Sequence, residues 1–339
     1  MIKFDKAKIR KILCIKPRGI GDVVLSTIIL DNLISYFPGV KIDYLTEPFA
    51  KPSIEDNPSI KKILTMGKNE FPLWVALRIR KEKYDLLIDL WSNPRTAQIT
   101  FLSGVKYRVG FSYRGRRYAY NISGTSTRGT GHSAEHNLEL LKAINVPIIS
   151  KKVQYYLSES DREYARSYFN KYFNDKDFVV GILTSCGRES GRCETSKWVE
   201  ICQSISKAYN AKFLLIWGPG DKEDADYISN SLGEIAIVSP KTNLKQMAGL
   251  INLCNLIVAT DSGPMHISAA LGKPTLGILG PTDPVGHRPY SPISDYVNKA
   301  DLFCIICHKI KCPYGHECML ELPVDIVMSK VASLLRHVK

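Results

Sequence analysis

Short apolar runs alternate with segments of helical periodicity along most of this chain, and this alternation constrains the fold more than any other feature. In the first half the apolar runs lie at 11–16, 41–45, 84–90 and 107–111. The segments with helical spacing lie at 22–36, 71–82 and 133–144. Strands that alternate with helices in this way are joined by crossovers and pair in parallel. The first half therefore predicts a doubly wound α/β domain.

A second series of the same kind follows a polar, charge-rich stretch at about 150–176. Its apolar runs lie at 178–183, 212–217, 234–238, 255–260 and 274–279. Its helical segments lie at 197–209, 221–231, 243–252 and 263–271. A chain of 339 residues is long enough for two cores. We therefore predict two Rossmann-like doubly wound domains, 1–150 and 151–322, and a C-terminal helix within 323–339 that packs back across the domains.

The composition indicates a globular protein that is neither exported nor embedded in a membrane. The chain is 45% hydrophobic and 23% charged. Its longest apolar stretches are far short of the roughly 20 residues that a membrane-spanning helix needs. The N-terminus lacks the apolar core of a signal peptide, so most of the nine cysteines are expected to be reduced thiols. We therefore expect a soluble, cytoplasmic protein.

The net positive charge is concentrated in the first half of the chain. Residues 1–150 contain 24 Lys and Arg against 13 Asp and Glu, whereas the remainder contains 22 against 20. A strongly basic domain attracts phosphate-bearing partners such as nucleic acid, anionic lipid or a phosphorylated sugar. In the densest patch, 106–120, Arg114, Arg116 and Arg117 alternate with aromatic residues. Guanidinium groups bind phosphate bidentately, although a solvated basic loop would have the same composition.

Two glycines and an aspartate follow the first predicted strand, in the segment PRGIGD. Gly19 and Gly21 permit backbone conformations closed to other residues and let a ligand approach the main chain. Ligands of parallel sheets bind outside the carboxyl ends of the strands. Asp22 therefore has two interpretations, a helix N-cap or a catalytic base. The segment is not GxGxxG, so it does not favour binding of a nicotinamide dinucleotide.

The segment TDSGPMH ends a buried strand and begins a helix. Asp261, Ser262 and Gly263 lie at the predicted helix N-terminus, where backbone amides bind phosphate. His266 lies one turn into that helix. A second loop, GPTDP at 280–284, follows the next strand and converges on the same edge of the sheet. Together the two loops favour a phosphate site over the alternative of capping residues beside a core histidine.

Four cysteines lie close together near the C-terminus, with two histidines among them. They are Cys304, Cys307, His308, Cys312, His316 and Cys318. CxxC followed closely by two more cysteines is typical of a tetrahedral zinc or iron–sulfur site. The spacing is tighter than in a usual zinc ribbon, so free or disulfide-paired thiols remain the alternative to a structural metal held by the four cysteines.

Three motifs together resemble the heptosyltransferases of glycosyltransferase family 9. They are RGIGDVVLSTIIL, TDSGPMHISAALGKPTLGILGPTDP and the C-x2-C-x4-C-x5-C-M pattern of the cysteine cluster, in the family's order along nearly the full chain. The resemblance implies a GT-B fold, with two Rossmann-like domains facing a central cleft. It also implies an inverting transfer of heptose from ADP-heptose to a Kdo or heptose residue of the lipopolysaccharide inner core, with no cofactor or metal required for catalysis.

The resemblance also implies roles for individual residues. Asp22 matches the acidic residue of the family's GD pair and is the expected general base. The acceptor-binding residues are expected to be Arg18, Gly19, Gly21, Arg114, Arg116 and Arg117. The donor-binding residues are expected to be Thr184, Ser185, Lys197, Gly218, Asp221, Asp261, Ser262, Gly263, His266, Thr282 and Asp283. Ser196 stands where the family has a basic residue in its K-x-W segment, so Lys197 or Arg192 is expected to supply that cation.

A lipid-borne acceptor implies a peripheral protein at the cytoplasmic face of the inner membrane, with no nucleic acid as partner. One alternative is another nucleotide-sugar transferase, or an epimerase, of the same fold. A second is a non-catalytic sugar-phosphate-binding protein, which would need no base at Asp22. A nucleic-acid-binding protein would use the same basic patch, but the paired α/β halves and the lack of an aromatic binding signature argue against it.

Overall fold

The computed structural model of the chain describes residues 4–113, 115–125 and 131–336. The chain divides into two compact units, Met1–Tyr156 and Leu157–Lys339. Each unit is built around one six-stranded sheet, and the strand pairs of both sheets are parallel. The prediction of two Rossmann-like α/β domains is therefore confirmed.

The first unit has a sheet of order β3-β2-β1-β4-β5-β6. Its strands are β1 (Lys11–Ile15), β2 (Lys41–Thr46), β3 (Lys62–Thr65), β4 (Leu86–Asp89), β5 (Tyr107–Phe111) and β6 (Ile122–Gly124). Its helices are α1 (Ile20–Ser26), α2 (Leu30–Tyr36), α3 (Pro72–Lys81), α4 (Pro94–Leu102) and α5 (Ser133–Lys142). Because β2 lies on one side of β1 and β4 lies on the other, the topological switch point falls between β1 and β4.

The segment that follows α5 belongs to the first unit. The Gln154 amide donates a hydrogen bond to the Thr27 hydroxyl (2.8 Å), and the Ser150 amide donates to the Asn32 side-chain oxygen (3.0 Å). Both acceptors lie between the start of α1 and the end of α2, so these bonds fasten the segment to that region. The first unit therefore extends to Tyr156, beyond the expected boundary.

The second unit has a sheet of order β12-β11-β10-β7-β8-β9. Its strands are β7 (Phe178–Leu183), β8 (Ala211–Ile216), β9 (Ala236–Val238), β10 (Leu256–Thr260), β11 (Thr275–Ile278) and β12 (Ser294–Val297). Its helices are α6 (Glu159–Phe169), α7 (Thr195–Tyr209), α8 (Lys222–Leu232), α9 (Leu244–Leu253), α10 (Gly263–Ala270), α11 (Pro284–His287), α12 (Glu317–Leu320) and α13 (Val324–Arg336). The switch point of this sheet lies between β7 and β10.

The C-terminal helix packs against the sheet of the second unit. α13 contacts α7, β11 and β12. Its buried residues Val327, Val331 and Leu334 form one apolar stripe, as the spacing of a helix face requires. The same three side chains belong to the hydrophobic core of this unit. Packing of this helix across both domains stays a prediction.

Several helices begin at well-defined caps. α4, α6 and α9 start at capping boxes whose N-cap residues are Asn93, Ser158 and Asn243. In each box the N-cap side chain accepts a hydrogen bond from the backbone amide three residues later, and the side chain of that later residue accepts one from the N-cap amide. Among the helices of the described ranges, none combines the length and the apolar character needed to cross a bilayer.

Candidate active site

The turn after β1 brings a glycine and a carboxylate together at the switch point of the first unit. Gly19 has φ +80° and is the N-cap residue of α1. A Cβ atom at this position would lie 2.5 Å from Oδ2 of Asp22. Glycine is therefore required at this position for two reasons. The left-handed backbone disfavours other residues, and a side chain here would displace the Asp22 carboxylate.

The Asp22 carboxylate does not cap α1. Asp22 lies in the first turn, but the cap position is occupied by Gly19, and across the described ranges no hydrogen bond to the Asp22 side chain is present. The side chain is 43% exposed and lies 3.6 Å from the ammonium group of Lys16. Of the two interpretations of Asp22, the geometry favours a carboxylate that is open to a ligand.

Lys16 is a site residue that the sequence reasoning missed. It follows β1 directly and is only 6% exposed. Its Nζ donates to the Leu90 carbonyl (3.4 Å) and lies 5.0 Å from the centroid of the Trp91 ring, within the usual range of a cation–π contact. The same ammonium group thus links the Asp22 turn to the turn after β4. A lysine that ends an otherwise apolar strand was the available signal.

The turn after β4 is held in one conformation by a buried carboxylate. Asp89 accepts from the amides of Trp91 (3.1 Å) and Ser92 (2.8 Å) and from the Tyr120 hydroxyl (2.7 Å). Burial raises the pKa of Asp89. Ser92 has φ +50°, and its carbonyl accepts from Nη1 of Arg116 (3.0 Å). A left-handed serine kept in place by this many bonds marks a turn with a fixed shape.

The predicted acceptor residues lie in different surroundings. Arg116 reaches the Ser92 turn, and its Nε is buried with no hydrogen-bond partner among the described residues. Arg117 is exposed. Arg18 lies 3.9 Å from the buried carboxylate of Glu47. Arg114 lies outside the described residues. Gly21 is buried within α1.

Three hydroxyl groups meet at the switch point of the second unit. Thr184 and Ser185 follow β7, and Ser262 follows the neighbouring strand β10. Their hydroxyl oxygens are buried and make no hydrogen bond to any described residue. Buried polar atoms in folded proteins nearly always have a partner, so these three hydroxyls have unused hydrogen-bonding capacity at the edge of the sheet where ligands bind.

The loops around these hydroxyls are joined to one another. The Thr260 hydroxyl donates to the Ser185 carbonyl (2.9 Å), and the Cys186 thiol donates to the Asp261 carbonyl (3.4 Å). The Thr282 hydroxyl donates to the Asp261 carboxylate (2.7 Å). The loops after β7, β10 and β11 therefore form one rigid edge, and the predicted convergence of the TDSG and GPTDP segments is present.

α10 begins at this edge without a side-chain cap. Ser262 occupies the cap position in extended conformation, but its hydroxyl makes no cap bond. Gly263 is the first helical residue, and His266 is buried one turn later. The backbone amides of the first turn therefore keep a partial positive charge that favours an anion.

Other predicted donor residues have partners within the protein. Lys197 pairs with Glu200 of the same helix (2.6 Å). Asp283 caps α11 by accepting from the Val285 amide (2.9 Å). Gly218 lies close to Ser185, because a Cβ atom there would lie 2.7 Å from the Ser185 hydroxyl.

Arg192 is also engaged. Its guanidinium donates to the carboxylates of Asp221 and Asp224. These two acidic partners raise the pKa of Arg192, although its burial acts in the opposite direction. The positive charge of Arg192 is therefore neutralised by the carboxylate of Asp221, a predicted donor residue.

Arg188 is a cation that the sequence reasoning also missed. Its Nη1 is buried without a hydrogen-bond partner among the described residues. Arg188 lies two residues after Cys186, whose thiol donates to the Asp261 carbonyl, and burial raises the pKa of this thiol. Arg188 therefore has unused donor capacity in the loop that also carries Thr184 and Ser185. A basic residue directly after a Thr-Ser-Cys-Gly turn was the available signal.

The cysteine segment is fastened to loops of this edge. The His308 amide donates to the Pro281 carbonyl (2.8 Å), and the Ser190 amide donates to the Ile310 carbonyl (3.0 Å). Within the described ranges, no three His, Cys, Asp or Glu side chains are arranged to hold a metal ion. Burial, together with the neighbouring cysteines, raises the pKa of Cys318 to about 11. A structural metal at this cluster stays a prediction.

The two doubly wound sheets, each with a switch point at its carboxyl edge, have the architecture of the glycosyltransferases of GT-B fold. Residues 73–317 match the family model "Glycosyltransferase family 9 (heptosyltransferase)", and the chain belongs to this family. Family membership makes it an enzyme rather than a non-catalytic binding protein.

Relatives and solved structures agree with this assignment. The chain is 25% identical to lipooligosaccharide heptosyltransferase 2 of Haemophilus influenzae over 96% of its own length and 99% of the relative. A family 9 glycosyltransferase from Veillonella parvula is 22% identical, with TM-score 0.84 and 97% of both chains covered. E. coli heptosyltransferase WaaC with ADP-2-deoxy-2-fluoro heptose is 18% identical, with TM-score 0.71 and coverage of 95% of this chain and 99% of that one.

Proposed function

We propose that this enzyme transfers heptose from ADP-heptose to a Kdo or heptose residue of the lipopolysaccharide inner core. The observation that carries the proposal is the group of buried, unbonded hydroxyls of Thr184, Ser185 and Ser262. The relative named as a lipooligosaccharide heptosyltransferase supports the acceptor class. The WaaC structure with a fluorinated ADP-heptose supports the donor.

The second unit binds the donor diphosphate. The three hydroxyls donate to its oxygens, and the first backbone amides of α10 add the partial charge of a helix N-terminus. Arg188 supplies the cation that Ser196 cannot provide. As ADP departs, negative charge grows on the diphosphate, and these fixed donors stabilise that charge without a metal ion.

Asp22 of the first unit acts as the general base. A sugar hydroxyl is a weak nucleophile, so a carboxylate within about 3 Å removes its proton as the new bond forms, which is typically worth 10²- to 10⁴-fold in rate. The proton passes to Asp22, the acceptor oxygen bonds to the anomeric carbon, and the bond to the ADP oxygen breaks. A single displacement of this kind inverts the anomeric centre.

The acceptor is bound by the basic first unit. This unit carries most of the positive charge of the chain, which suits an acceptor that bears phosphates and carboxylates. Arg116, with a buried Nε that has no described partner, is the best-placed predicted acceptor residue. Because the acceptor is lipid-linked, the enzyme works as a peripheral protein at the cytoplasmic face of the inner membrane.

The proposal is tested by incubating the enzyme with ADP-heptose and Kdo-lipid A, in the presence and absence of EDTA. The mass of the lipid product is then measured by mass spectrometry. We expect one heptose to be added at the same rate in both conditions. Transfer from another nucleotide sugar in preference to ADP-heptose, or transfer abolished by EDTA, would contradict the proposed donor or the proposed chemistry.

A further inference from the structure

Three large aromatic side chains are exposed at the carboxyl edge of the first sheet. Phe49 is 52% exposed, Phe71 is 62% exposed and Trp74 is 60% exposed. Phe49 follows β2, and the other two follow β3. Since β2 and β3 are neighbours and pair up to Thr46 and Thr65, the two loops begin side by side. We call these three residues the aromatic tip.

The loop that carries Phe71 and Trp74 is held rigidly. The guanidinium group of Arg95 donates to the carbonyls of Gly67 (2.6 Å), Lys68 (2.8 Å) and Glu70 (2.6 Å). The Trp74 amide donates to the Phe71 carbonyl (3.1 Å) at the start of α3. An isolated exposed aromatic needs no explanation, but two on one fixed loop, with a third on the loop after the neighbouring strand, favour an interaction site.

The ions beside the aromatic tip are mostly paired, whereas the first unit as a whole has a net positive charge. Lys51 pairs with Glu55 (2.8 Å), and Arg78 pairs with Glu70 (2.9 Å), so ions beside the tip are locally balanced. Lys68, in the loop that carries Phe71, is exposed. The unit as a whole has the strong positive excess described above, which attracts an anionic surface over a longer range.

We infer that the aromatic tip inserts into the interface of an anionic lipid bilayer. Trp and Phe settle at the boundary between headgroups and acyl chains, and a basic surface adds attraction to anionic lipids. Asp22 follows β1, the neighbour of β2, on the same edge of the sheet. Docking by this edge brings the base toward the bilayer, and this orientation rests on the proposed lipid-linked acceptor.

The test is flotation of the purified full chain with vesicles of phosphatidylethanolamine and phosphatidylglycerol, without donor or acceptor. The variant F71S/W74S is expected to bind vesicles at least about tenfold more weakly than the unmodified chain, because each substitution removes a large apolar surface from the contact. The matched control F101S changes a side chain that is 50% exposed at the far end of α4 and is expected to bind like the unmodified chain. No sugar substrate is present, so the result is independent of the proposed transfer.

A second measurement keeps the inference testable if the double variant is unstable. Trp74 emission is expected to shift to shorter wavelength on addition of vesicles and to be quenched by brominated acyl chains. W74F should still float with vesicles but lose most of the shift. Vesicle binding that is absent, or unchanged in F71S/W74S, would overturn the inference. So would a dimer in the unmodified chain that F71S/W74S converts to a monomer while vesicle binding stays the same.

Discussion

The ammonium group of Lys16 lies 3.6 Å from the carboxylate of Asp22 and also contacts the Leu90 carbonyl and the Trp91 ring. A buried cation in this position attracts the neighbouring carboxylate and holds it in one place. Lys16 is therefore a positioning residue, which acts on the reaction through Asp22 rather than by touching the reacting atoms.

This relationship predicts non-additive effects of two substitutions. K16M alone should lower the turnover number about tenfold, which corresponds to ~1.4 kcal/mol and lies in the range for residues in contact. In a D22N background, K16M should cause almost no further loss. With Asp22 present, K16R should keep part of the activity that K16M loses. Steady-state kinetics of the single and double variants measure this coupling. Fully additive losses would mean that Lys16 acts independently of Asp22.

A second prediction separates backbone strain from displacement of the carboxylate. Gly19 and Gly39 both have positive φ, +80° and +73°. Alanine at either position should reduce the free energy of unfolding by about 1–2 kcal/mol because of the left-handed backbone. Only G19A also brings a Cβ atom against Asp22, whereas a Cβ at Gly39 meets nothing within 4 Å.

We therefore expect G19A to lose most of its transfer activity and G39A to keep it. The comparison needs urea unfolding curves and turnover numbers for both variants. Equal activity of the two variants at equal stability would show that the position of Asp22 is unimportant.

The third prediction concerns the cation of the donor site. R188M should weaken ADP binding about tenfold or more, because a charge-assisted contact to phosphate is lost. K197M should change the affinity less than about twofold, since the charge of Lys197 is already paired with Glu200 of the same helix. Isothermal titration with ADP compares the two variants. A large effect of K197M with none of R188M would restore the original expectation from the sequence.

Much of the fold could be read from the sequence, above all the strands that lie inside the sheets; of the four edge strands, only β9 coincides with a predicted apolar run. Strands such as β1 and β10 are buried on both faces, so they appear as continuous apolar runs. The edge strands β3, β6 and β12 are only partly buried and gave no apolar run. α6 was hidden in a polar stretch, although its Ser158 and Asp161 form a capping box that the sequence pattern predicts.

The candidate site divides in a similar way. Asp22, Ser262 and their loops stand next to glycines in sequence, so local patterns identified them. Lys16 contacts the turn after the neighbouring strand β4, and such a contact depends on how the sheet is assembled. The buried, unpaired Nη1 of Arg188 is likewise visible only in the folded chain. Lys197 and Arg192 were reasonable cation candidates by position, but only the structure shows that their charges are already paired.

The cysteine cluster gives a prediction about pH. The pKa of Cys318 is raised to about 11, above the usual value of a thiol, so its protonated form is the one that the folded state favours. This contribution to stability is complete below about pH 8.5, the ordinary thiol pKa. It is lost as the pH rises toward 11.

Two measurements check this. The unfolding free energy in urea should fall between pH 9 and 11, and less steeply in C318S. Elemental analysis of the purified protein tests the predicted structural metal, because metal binding to the thiols releases their protons and removes this pH dependence. About one zinc or iron ion per chain would support a structural metal at the four cysteines, and no stoichiometric metal would support free thiols.

The central claim is that donor binding and proton removal are carried out by different residues, in the second and first units respectively. The most direct test is the rate of heptose transfer by D22N at saturating ADP-heptose, with ADP affinity measured on the same preparation. We predict unchanged ADP affinity and a rate that falls by about 10²-fold or more. Transfer by D22N at close to the unmodified rate would contradict the account.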